Sequence, residues 1–406
     1  MRNIFRMPLG AIGAGLLVVC AAVRPAAGQE SFFALEFLGV SEETGDARAR
    51  GLGVLGVALD DHRTSISLNP ASIGGLDDMT LSAMGVSGVR TSRDASLEDE
   101  AGLARFPHER VSLPMFGKVV FTTGFVGLRN FHADFALREG EIDGLKYEQR
   151  FERDGTLYTV PFGFAGSFGS RVRAGITLDV LLGTVDEAWI TDGDSIVGLK
   201  SRRRDRMSGR TVTLGLVVHA TPWLRLGGTW SPEFTVDRSR QTTLESVRFG
   251  SGSAPIRNTS VKKDIRLPQV LRGGATLQLG ERWLLTSDYL WREWDAYTGD
   301  LYGAEAIGNE TRFGGGLEWR RRRLAYRIGA SRTTWPQRVG GAELHESVLH
   351  LGLGIDLTAD RGRLDFALEH AWIGRVDSNG REERTWRFVV SVSGQEIWKR
   401  KSPRGR

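Results

Sequence analysis

Three short runs carry residue types that could do chemistry, but none has the spacing that the chemistry needs. His345-Glu346 is followed by His350, which is one residue too far for the zinc-protease helix motif. Gly314-Gly315-Gly316 has no Lys-Ser/Thr after it, so it does not form a phosphate-binding loop. The paired carboxylates Asp60-Asp61 are typical of turns. With no G-x-S-x-G motif and seven scattered histidines, the sequence predicts no enzyme, no metal site and no cofactor.

The first 28 residues have the organisation of a secretory signal peptide. Arg2 and Arg6 form a basic start, residues 9–22 an apolar stretch, and Ala26-Ala27-Gly28 a small-residue cleavage site. The apolar stretch is too short for a spanning helix, which needs about 20 residues. We therefore expect the chain to be exported and residues 1–28 to be removed.

Charge and cysteine content limit which partners and cross-links the mature chain is expected to have. The sequence has 54 Lys and Arg against 49 Asp and Glu, and cleavage would remove three of the arginines and the single cysteine, Cys20. The excess of positive charge that remains is small, which predicts no nucleic-acid partner. An exported chain without cysteine has no disulfides, so it must close its structure in another way.

From about residue 79 onward, apolar and polar residues alternate in short segments. Ile176 and Leu178 fall on one face of such a segment, whereas Thr177 and Asp179 fall on the other. The alternation predicts fourteen strands, at 79–89, 109–115, 118–137, 157–168, 171–187, 210–220, 224–236, 266–279, 283–294, 311–320, 324–335, 346–357, 363–374 and 384–394.

The predicted connections alternate between long loops and tight turns. Residues 90–108 and 188–209 are long, for example, whereas 116–117, 169–170 and 221–223 are short. This pattern is typical of outer-membrane barrels, with both chain ends on the periplasmic side. We therefore predict an all-β fold, a transmembrane antiparallel β-barrel of about 14 strands. A closed sheet pairs every backbone N–H and C=O, as a hydrocarbon environment requires.

The sequence divides into four predicted parts. A signal peptide at 1–28 precedes an N-terminal segment at 29–78, the barrel occupies 79–394, and a basic periplasmic tail occupies 395–406. The N-terminal segment shows little alternation. It either folds into the lumen as a hatch or hangs in the periplasm.

Charged residues of both signs fall on the predicted inward faces of the strands. Such charges either line a polar channel or form an ion-pair network that holds the barrel together. The candidate lumen charges are Arg173, Asp179, Asp288, Arg292, Glu318, Arg327, Asp365, Glu369 and Arg387.

The N-terminal segment resembles the opening of FadL-like outer-membrane proteins, which include fatty-acid and hydrocarbon transporters and the PorV/PorQ-type proteins linked to secretion. The matching residues lie in three runs, residues 47–53, 57–61 and 69–73. The resemblance implies a fourteen-stranded barrel with an N-terminal hatch. The residues that match the hatch motif are Arg48, Gly51, Gly53, Asp61, Asn69, Pro70 and Ala71.

The resemblance also implies that the Asn-Pro-Ala turn packs against an inward kink of the third strand, which leaves a lateral gap in the wall. Gly124 and Gly127 are the candidate kink residues, because glycines within strands mark bends and bulges. The same glycines could instead only allow a close approach of the hatch.

Two functions follow as hypotheses. The first is passive outer-membrane uptake of a hydrophobic or amphipathic small molecule, as in long-chain fatty-acid transporters. The second is a non-transporting barrel of the PorV/PorQ type that acts in protein secretion or surface attachment. The expected partners are outer-membrane lipid, with lipopolysaccharide near Arg202-Arg203-Arg204 in a predicted outer loop, and a hydrophobic ligand or a secretion-system protein.

Overall fold

The structure is a computed structural model. It describes residues 31, 33, 39–42, 44–95, 98–115, 119–142, 145–193, 198–248, 252–294, 297–299, 307–357 and 362–396. The predicted signal peptide and residues 397–406 of the predicted tail lie outside the described residues. No helix among the described residues is long and apolar enough to cross a membrane.

Among the described residues, eighteen strands form one antiparallel sheet. They are β1 (Val40–Ser41), β2 (Met79–Asp94), β3 (Glu98–Pro114), β4 (Val119–Asn130), β5 (Ala133–Ile142), β6 (Leu145–Phe168), β7 (Val172–Gly193), β8 (Gly198–His219), β9 (Leu224–Ser231), β10 (Phe234–Arg248), β11 (Gly252–Leu267), β12 (Val270–Leu279), β13 (Trp283–Arg292), β14 (Glu310–Arg321), β15 (Leu324–Val339), β16 (Ala342–Asp356), β17 (Gly362–Arg375) and β18 (Arg381–Glu396). The helices are α1 (Ala47–Gly51), a 3₁₀ helix (Pro70–Gly75) and α2 (Val376–Asn379).

The sheet closes on itself because β18 pairs with β2 along its whole length. Three strands of the barrel are interrupted: β4 continues as β5, β9 as β10, and β11 as β12. With each of these counted once and the two-residue β1 left out, the barrel has 14 strands. The predicted fold class and strand number are confirmed.

The two faces of the barrel strands differ in polarity as the sequence predicts. On β7, Ile176 and Leu178 are 46% and 43% exposed, whereas Thr177 between them is 4% exposed. The apolar face therefore points outward and the polar face points into the lumen.

Several strands are much longer than predicted, and they extend into the predicted loops on the side of the barrel opposite the chain ends. β6, β7 and β8 have 24, 22 and 22 residues. Most of the predicted loops at 138–156 and 188–209 are therefore paired strand, and Arg202-Arg203-Arg204 lie on β8 rather than in a loop. Above the apolar belt both faces of the sheet are polar, so the hydrophobic alternation that marks a strand disappears while the ladder of hydrogen bonds continues.

Residues 44–78 contact strands on opposite sides of the closed sheet. Helix α1 packs against β15, β16, β17 and β18, whereas the 3₁₀ helix packs against β4, β6, β7 and β8. Apolar side chains of this segment are buried against the wall, as Leu52, Val57 and Ile73 show with exposures of 0%, 0% and 1%. The apolar core of the molecule thus lies between this segment and the inward faces of the strands.

Candidate functional site in the barrel lumen

Residues at both ends of the short helix α1 determine where it begins and ends. The Asp46 side chain accepts a hydrogen bond from the Ala49 N–H at 3.0 Å, which caps the first turn. Gly53 follows the helix with φ +69°, in the left-handed region that favours glycine. The helix directs Arg48 to β14 and Arg50 to β17.

Arg48 belongs to a buried network of ion pairs. Its Nε and Nη2 donate to the two carboxylate oxygens of Glu318 at 2.9 Å, and its Nη1 donates to Asp61 at 2.9 Å. Asp61 also accepts from Arg363, with an N···O distance of 2.6 Å. Arg327 donates to Glu318 at 2.7 Å. Asp61 and Glu318 are thus each shared between at least two guanidinium groups.

Asp365 and Asp46 complete this network. Asp365 accepts from Arg327 at 2.8 Å and from Arg363, whose Nη2 lies 3.4 Å from Asp46. Burial raises the pKa of Asp46 to about 6. Burial alone would also raise the pKa of Asp61, but two adjacent guanidinium groups hold it well below its usual range. We call this set the basal network, and its members are Arg48, Arg327, Arg363, Asp46, Asp61, Glu318 and Asp365.

A second buried network surrounds Glu369 on β17. Arg50 donates to both of its carboxylate oxygens, one of them from Nε at 2.7 Å. Arg387 approaches the same carboxylate to 3.1 Å and also pairs with Glu346 at 3.0 Å. His350 Nδ1 lies 3.4 Å from Glu369. Glu346 and His350 thus serve as wall residues on strand β16, not as part of a helical metal motif.

The other candidate lumen charges are dispersed around the wall. Arg173 pairs with Asp60, and Arg292 pairs with Glu310 at 2.6 Å. Asp179 accepts a hydrogen bond from a threonine hydroxyl of β8 at 2.8 Å. This arrangement favours the ion-pair interpretation of the lumen charges over an open polar channel lining. Within the described part of the chain, no group of His, Cys, Asp and Glu could hold a metal ion.

Both polar atoms of the Asn69 side chain hold the Asn-Pro-Ala turn in place. Its Oδ1 accepts from the Ala71 N–H at 3.0 Å, and its Nδ2 donates to the carbonyl oxygens of Val57 and Leu216 at 2.8 and 3.0 Å. Pro70 begins the 3₁₀ helix, where its missing N–H costs nothing. The turn therefore joins two parts of the N-terminal segment to β8.

The wall beside this turn differs from the one the sequence predicts. A Cβ on Gly215 of β8 would lie 2.2 Å from Asn69 Oδ1, and a Cβ on Gly175 of β7 would lie 2.5 Å from the Pro70 carbonyl carbon. The 3₁₀ helix also packs against the third strand, β4, but the closest approach to Gly127 comes from Glu42, whose Cβ would lie 3.2 Å from an added Cβ there. The motif residues do not indicate which strand they contact, because the contacting glycines lie more than one hundred residues later in the sequence.

The glycine-rich strand β14 allows another close approach. A Cβ on Gly314 would lie 2.0 Å from the Gly53 carbonyl oxygen, so only glycine fits there. Opposite this point, Asp288 accepts from the N–H groups of Gly56 and Val57 at 2.7 and 2.9 Å. The glycine pair of the hatch motif is thus placed against the wall by backbone contacts. The motif residue Gly51 likewise lies against β16, where its Cβ would meet Gly352 at 2.9 Å.

The wall has a gap between β3 and the strand formed by β4 and β5. The β3–β4 ladder ends at the pair His108 and Val126. Beyond it, among the described residues, positions 98–105 of β3 pair only with β2, and β5 pairs only with β6. Gly124, with φ +156°, and Gly127 lie beside this end of the ladder, and the β4–β6 register shifts just after Gly127.

Residues 39–42, which we call the strap, lie in this gap. The strap pairs as β1 with two residues of β4, and the Glu42 N–H donates to the Leu128 carbonyl oxygen at 3.0 Å. On the other side of the gap, the Glu42 carboxylate approaches Arg105 of β3 to 2.8 Å. Glu42 is 3% exposed. The strap thus connects the two separated edges of the wall.

A pocket of about 110 Å³, which we call the lumen pocket, lies between the Asn-Pro-Ala turn and the gap. Arg110 reaches it from β3 and donates to the Ser67 carbonyl oxygen at 2.7 Å. Its polar side also includes Arg129, Arg272 and Asp179. Its apolar side is formed by Leu68, Val126, Leu128, Leu157, Phe234 and Trp294. The pocket is therefore amphipathic, with more cationic than anionic groups.

A family model described as BamG matches residues 12–403 of the sequence. The chain belongs to the BamG family. No curated protein is significantly similar to it in sequence.

Solved structures of similar fold come from hydrocarbon channels and a FadL homologue. The Ralstonia pickettii toluene transporter TbuX has 16% identity and a TM-score of 0.61, over 87% of this chain and 99% of that one. The Pseudomonas putida toluene transporter TodX has 16% identity and a TM-score of 0.59, over 88% and 99%. A Pseudomonas aeruginosa FadL homologue has 11% identity and a TM-score of 0.64, over 88% and 99%. The likeness confirms the FadL-like architecture of this BamG-family chain, whereas the PorV/PorQ likeness stays a prediction.

Several residues of the site were not predicted from the sequence. Asp46 and Arg363 complete the basal network, Glu42 anchors the strap, and Arg110 faces the lumen pocket. Arg363 alternates with Asp365 along β17, and this spacing already indicates that the two share one face. The other three carry no local signal, because their partners are distant in sequence.

Proposed function

We propose that this chain is a bacterial outer-membrane channel that binds a small apolar or amphipathic molecule in the lumen pocket. The pocket is the observation that carries the proposal, since ligand sites are concave and mostly apolar with a few polar groups. Its volume of about 110 Å³ is on the scale of the cavity of about 150 Å³ that accepts benzene in another protein. The names of its fold relatives, toluene transporters and a FadL homologue, agree with this substrate class.

The parts of the chain have separate roles in this proposal. Residues 1–28 direct export and are removed, residues 29–78 form the hatch, residues 79–396 form the barrel, two residues more than predicted, and residues 397–406 form a periplasmic tail. Contacts of residues 44–78 with strands on opposite sides of the sheet support the hatch. The ligand reaches the lumen pocket from the outer side and leaves through the gap beside the strap.

The cationic side of the lumen pocket favours an amphipathic ligand with an anionic or strongly polar end. Leu128 contributes both to the apolar side of the pocket and, through its carbonyl oxygen, to the contact with the strap. A ligand in the pocket therefore contacts a residue, Leu128, that also binds the strap in the gap of the wall. This proximity supports release through the gap and not through the ion-paired base of the lumen.

Ligand binding tests the proposal with two matched variants on β4. Leu128→Trp fills the lumen pocket, whereas Phe125→Trp changes a side chain that is 59% exposed on the outward face. Purified barrel in detergent is titrated with toluene and with dodecanoate. We expect saturable binding of at least one probe, weakened about tenfold or more by Leu128→Trp and unchanged by Phe125→Trp. Absence of saturable binding in the unaltered chain, or equal loss in both variants, contradicts the proposal.

The second hypothesis from the sequence is a non-transporting barrel that assists protein secretion or surface attachment, and the basal network is compatible with it. Shared, buried ion pairs hold α1 to β14 and, through Arg363, to β17, and such a base does not open readily. Site-specific photocrosslinking in cells, from outward and outer-side positions, tests this candidate. One dominant protein crosslink together with no binding of either probe would favour it. Probe binding without a protein crosslink would exclude it.

A further inference from the structure

Basic side chains stand on the outward face of the sheet directly above its apolar belt. On β8 the outward residues Leu216 and Leu214 are 46% and 41% exposed, and they are apolar as a lipid-facing surface requires. Further from the chain ends, the same face presents Arg210 and then Arg206, both exposed. The inward residue between them, Met207, is buried in the lumen core. The polarity of the outward face therefore changes within one or two residues.

The same change occurs two strands away on β11. Lys262 and Arg266 are exposed there on the outward side, while Ile265 between them is buried in the lumen core. The ladders place Arg206 opposite Ser239 of β10, and Ser239 opposite Lys262. With strands about 4.8 Å apart, Arg206 and Lys262 lie about 10 Å from each other in one row. Arg210 and Arg266 form the next row towards the belt.

These four residues, Arg206, Arg210, Lys262 and Arg266, form what we call the basic patch. Within the described part of the chain, none of their side chains forms a salt bridge, unlike the neighbouring Arg204, which pairs with Asp186. Two carboxylates lie between the rows, Asp237 and Asp264, directly opposite each other. The surface therefore has an excess of two positive charges at the height where lipid headgroups meet the apolar belt.

We propose that the basic patch binds the phosphate groups of lipopolysaccharide in the outer leaflet. Guanidinium groups bind phosphate oxygens in pairs, and a spacing of about 10 Å lets two long side chains converge on one phosphate. The patch lies on the side of the belt opposite the chain ends, which is the outer side of an outer-membrane barrel. The inference rests on the proposed membrane location and is independent of the lumen pocket.

The test compares two fourfold variants of the full barrel purified in detergent. In the first, Arg206, Arg210, Lys262 and Arg266 are each changed to Gln. In the matched control, four exposed arginines in or next to turns on the chain-end side are changed to Gln, namely Arg171, Arg282, Arg321 and Arg323. Native mass spectrometry measures binding of bisphosphorylated lipid A, of lipid A without phosphate, and of phosphatidylglycerol. A heat-dependent shift in gel migration checks that each barrel is folded. If the fourfold variant does not fold, the double variant with Arg206→Gln and Arg210→Gln replaces it.

We expect the unaltered chain to bind bisphosphorylated lipid A in preference to the other two lipids. The patch variant should lose this binding by about tenfold or more, since each basic group near an anionic lipid surface contributes separately. The control should keep it, and both variants should keep the toluene or dodecanoate binding of the lumen pocket. Equal binding by patch variant and control, or equal binding of phosphatidylglycerol, would overturn the inference. Failure of pocket binding alone would contradict only the proposed function.

Discussion

At the scale of single residues, the basal network ties the N-terminal segment to the wall. Three arginines and four carboxylates share their hydrogen bonds, so each charge has at least one oppositely charged neighbour within 3.4 Å. Removing charges from water is costly, and good geometry must offset this cost. The network therefore fixes the position of the N-terminal segment more than it raises the free energy of unfolding. Loss of a charged member nevertheless leaves its partners buried and incompletely paired.

Arg48→Met should lower the free energy of unfolding by about 3–5 kcal/mol, because it leaves Glu318 and Asp61 with incomplete partners in a buried site. Arg204→Met is the matched control, since the Arg204–Asp186 pair has side-chain exposures of 53% and 50%. The control should change stability little. Urea unfolding of the barrel in detergent micelles measures both. Equal effects of the two substitutions would mean that the basal network does not hold the segment.

The pKa of Asp46 makes a prediction with a definite sign. Because burial raises this pKa from 3.8 to about 6, the folded chain holds a proton that the unfolded chain releases between these values. The contribution of Asp46 to stability is therefore present at low pH and is lost as the pH rises towards about 6. Asp46→Asn keeps an oxygen that can cap Ala49 and removes the titration. We expect this variant to unfold at higher urea than the unaltered chain at neutral pH, with a flatter dependence between about pH 4 and pH 7. An unchanged pH dependence would contradict the prediction.

At the scale of elements, glycines in the strands determine where the N-terminal segment can touch the wall. Gly175 and Gly215 receive the Asn-Pro-Ala turn, and Gly314 receives the backbone of Gly53. A side chain at any of these positions would occupy the space of a backbone or of the Asn69 amide. The high glycine content of the chain, 52 residues, thus reflects in part a second layer of backbone packed against the inside of the sheet.

Gly215→Ala should displace the Asn-Pro-Ala turn, because its Cβ would lie 2.2 Å from Asn69 Oδ1. Overpacking of this kind costs about 1–3 kcal/mol. Gly273→Ala on β12 is the matched control, since no atom lies within 4 Å of its added Cβ. Hydrogen exchange at the Ala71 amide, which is bonded to Asn69, reports on the turn directly. Faster exchange is expected in Gly215→Ala only. Unchanged exchange there would show that the turn is held by other contacts.

The sequence predicted the number of strands because fourteen segments have one apolar and one polar face. It missed the outer halves of β6, β7, β8, β10 and β11, whose two faces are both polar and whose ladders are invisible to hydropathy. The interruptions at 131–132, 232–233 and 268–269 were also missed.

The candidate site was predicted in its parts but not in its arrangement. Arg48, Asp61 and Glu318 were all named from the sequence, yet the contact of Arg48 with Glu318 joins residues 270 positions apart in the chain. The Asn-Pro-Ala turn was assigned to the third strand, β4, whereas its tightest contacts are with Gly175 of β7 and Gly215 of β8, which the sequence did not indicate. Alternation shows which face a residue occupies, and it does not show which residue it meets across a lumen.

At the scale of the whole molecule, the described part of the wall has a gap between β3 and the β4–β5 strand, and the strap lies in this gap. The lumen pocket shares Leu128 and Arg129 with the strand that borders this gap, and the basal network holds the N-terminal segment to β14 and β17. In the proposed function, a ligand leaves the pocket past the segment that Glu42 anchors to Arg105. The central claim is that movement of the strap permits release.

A disulfide lock of the strap tests this claim most directly. Val40→Cys and Asn130→Cys are ladder partners, so their Cα atoms lie about 4.5–5.5 Å apart, within the range of a disulfide. Ala275→Cys with Ser287→Cys, ladder partners of β12 and β13, is the matched control. Toluene flux into liposomes that contain each barrel is measured under oxidising and reducing conditions. We predict that oxidation abolishes flux through the strap-locked barrel, that reductant restores it, and that the control conducts in both states. Full flux through the oxidised, locked barrel, or no flux through the unaltered chain, would contradict release past the strap.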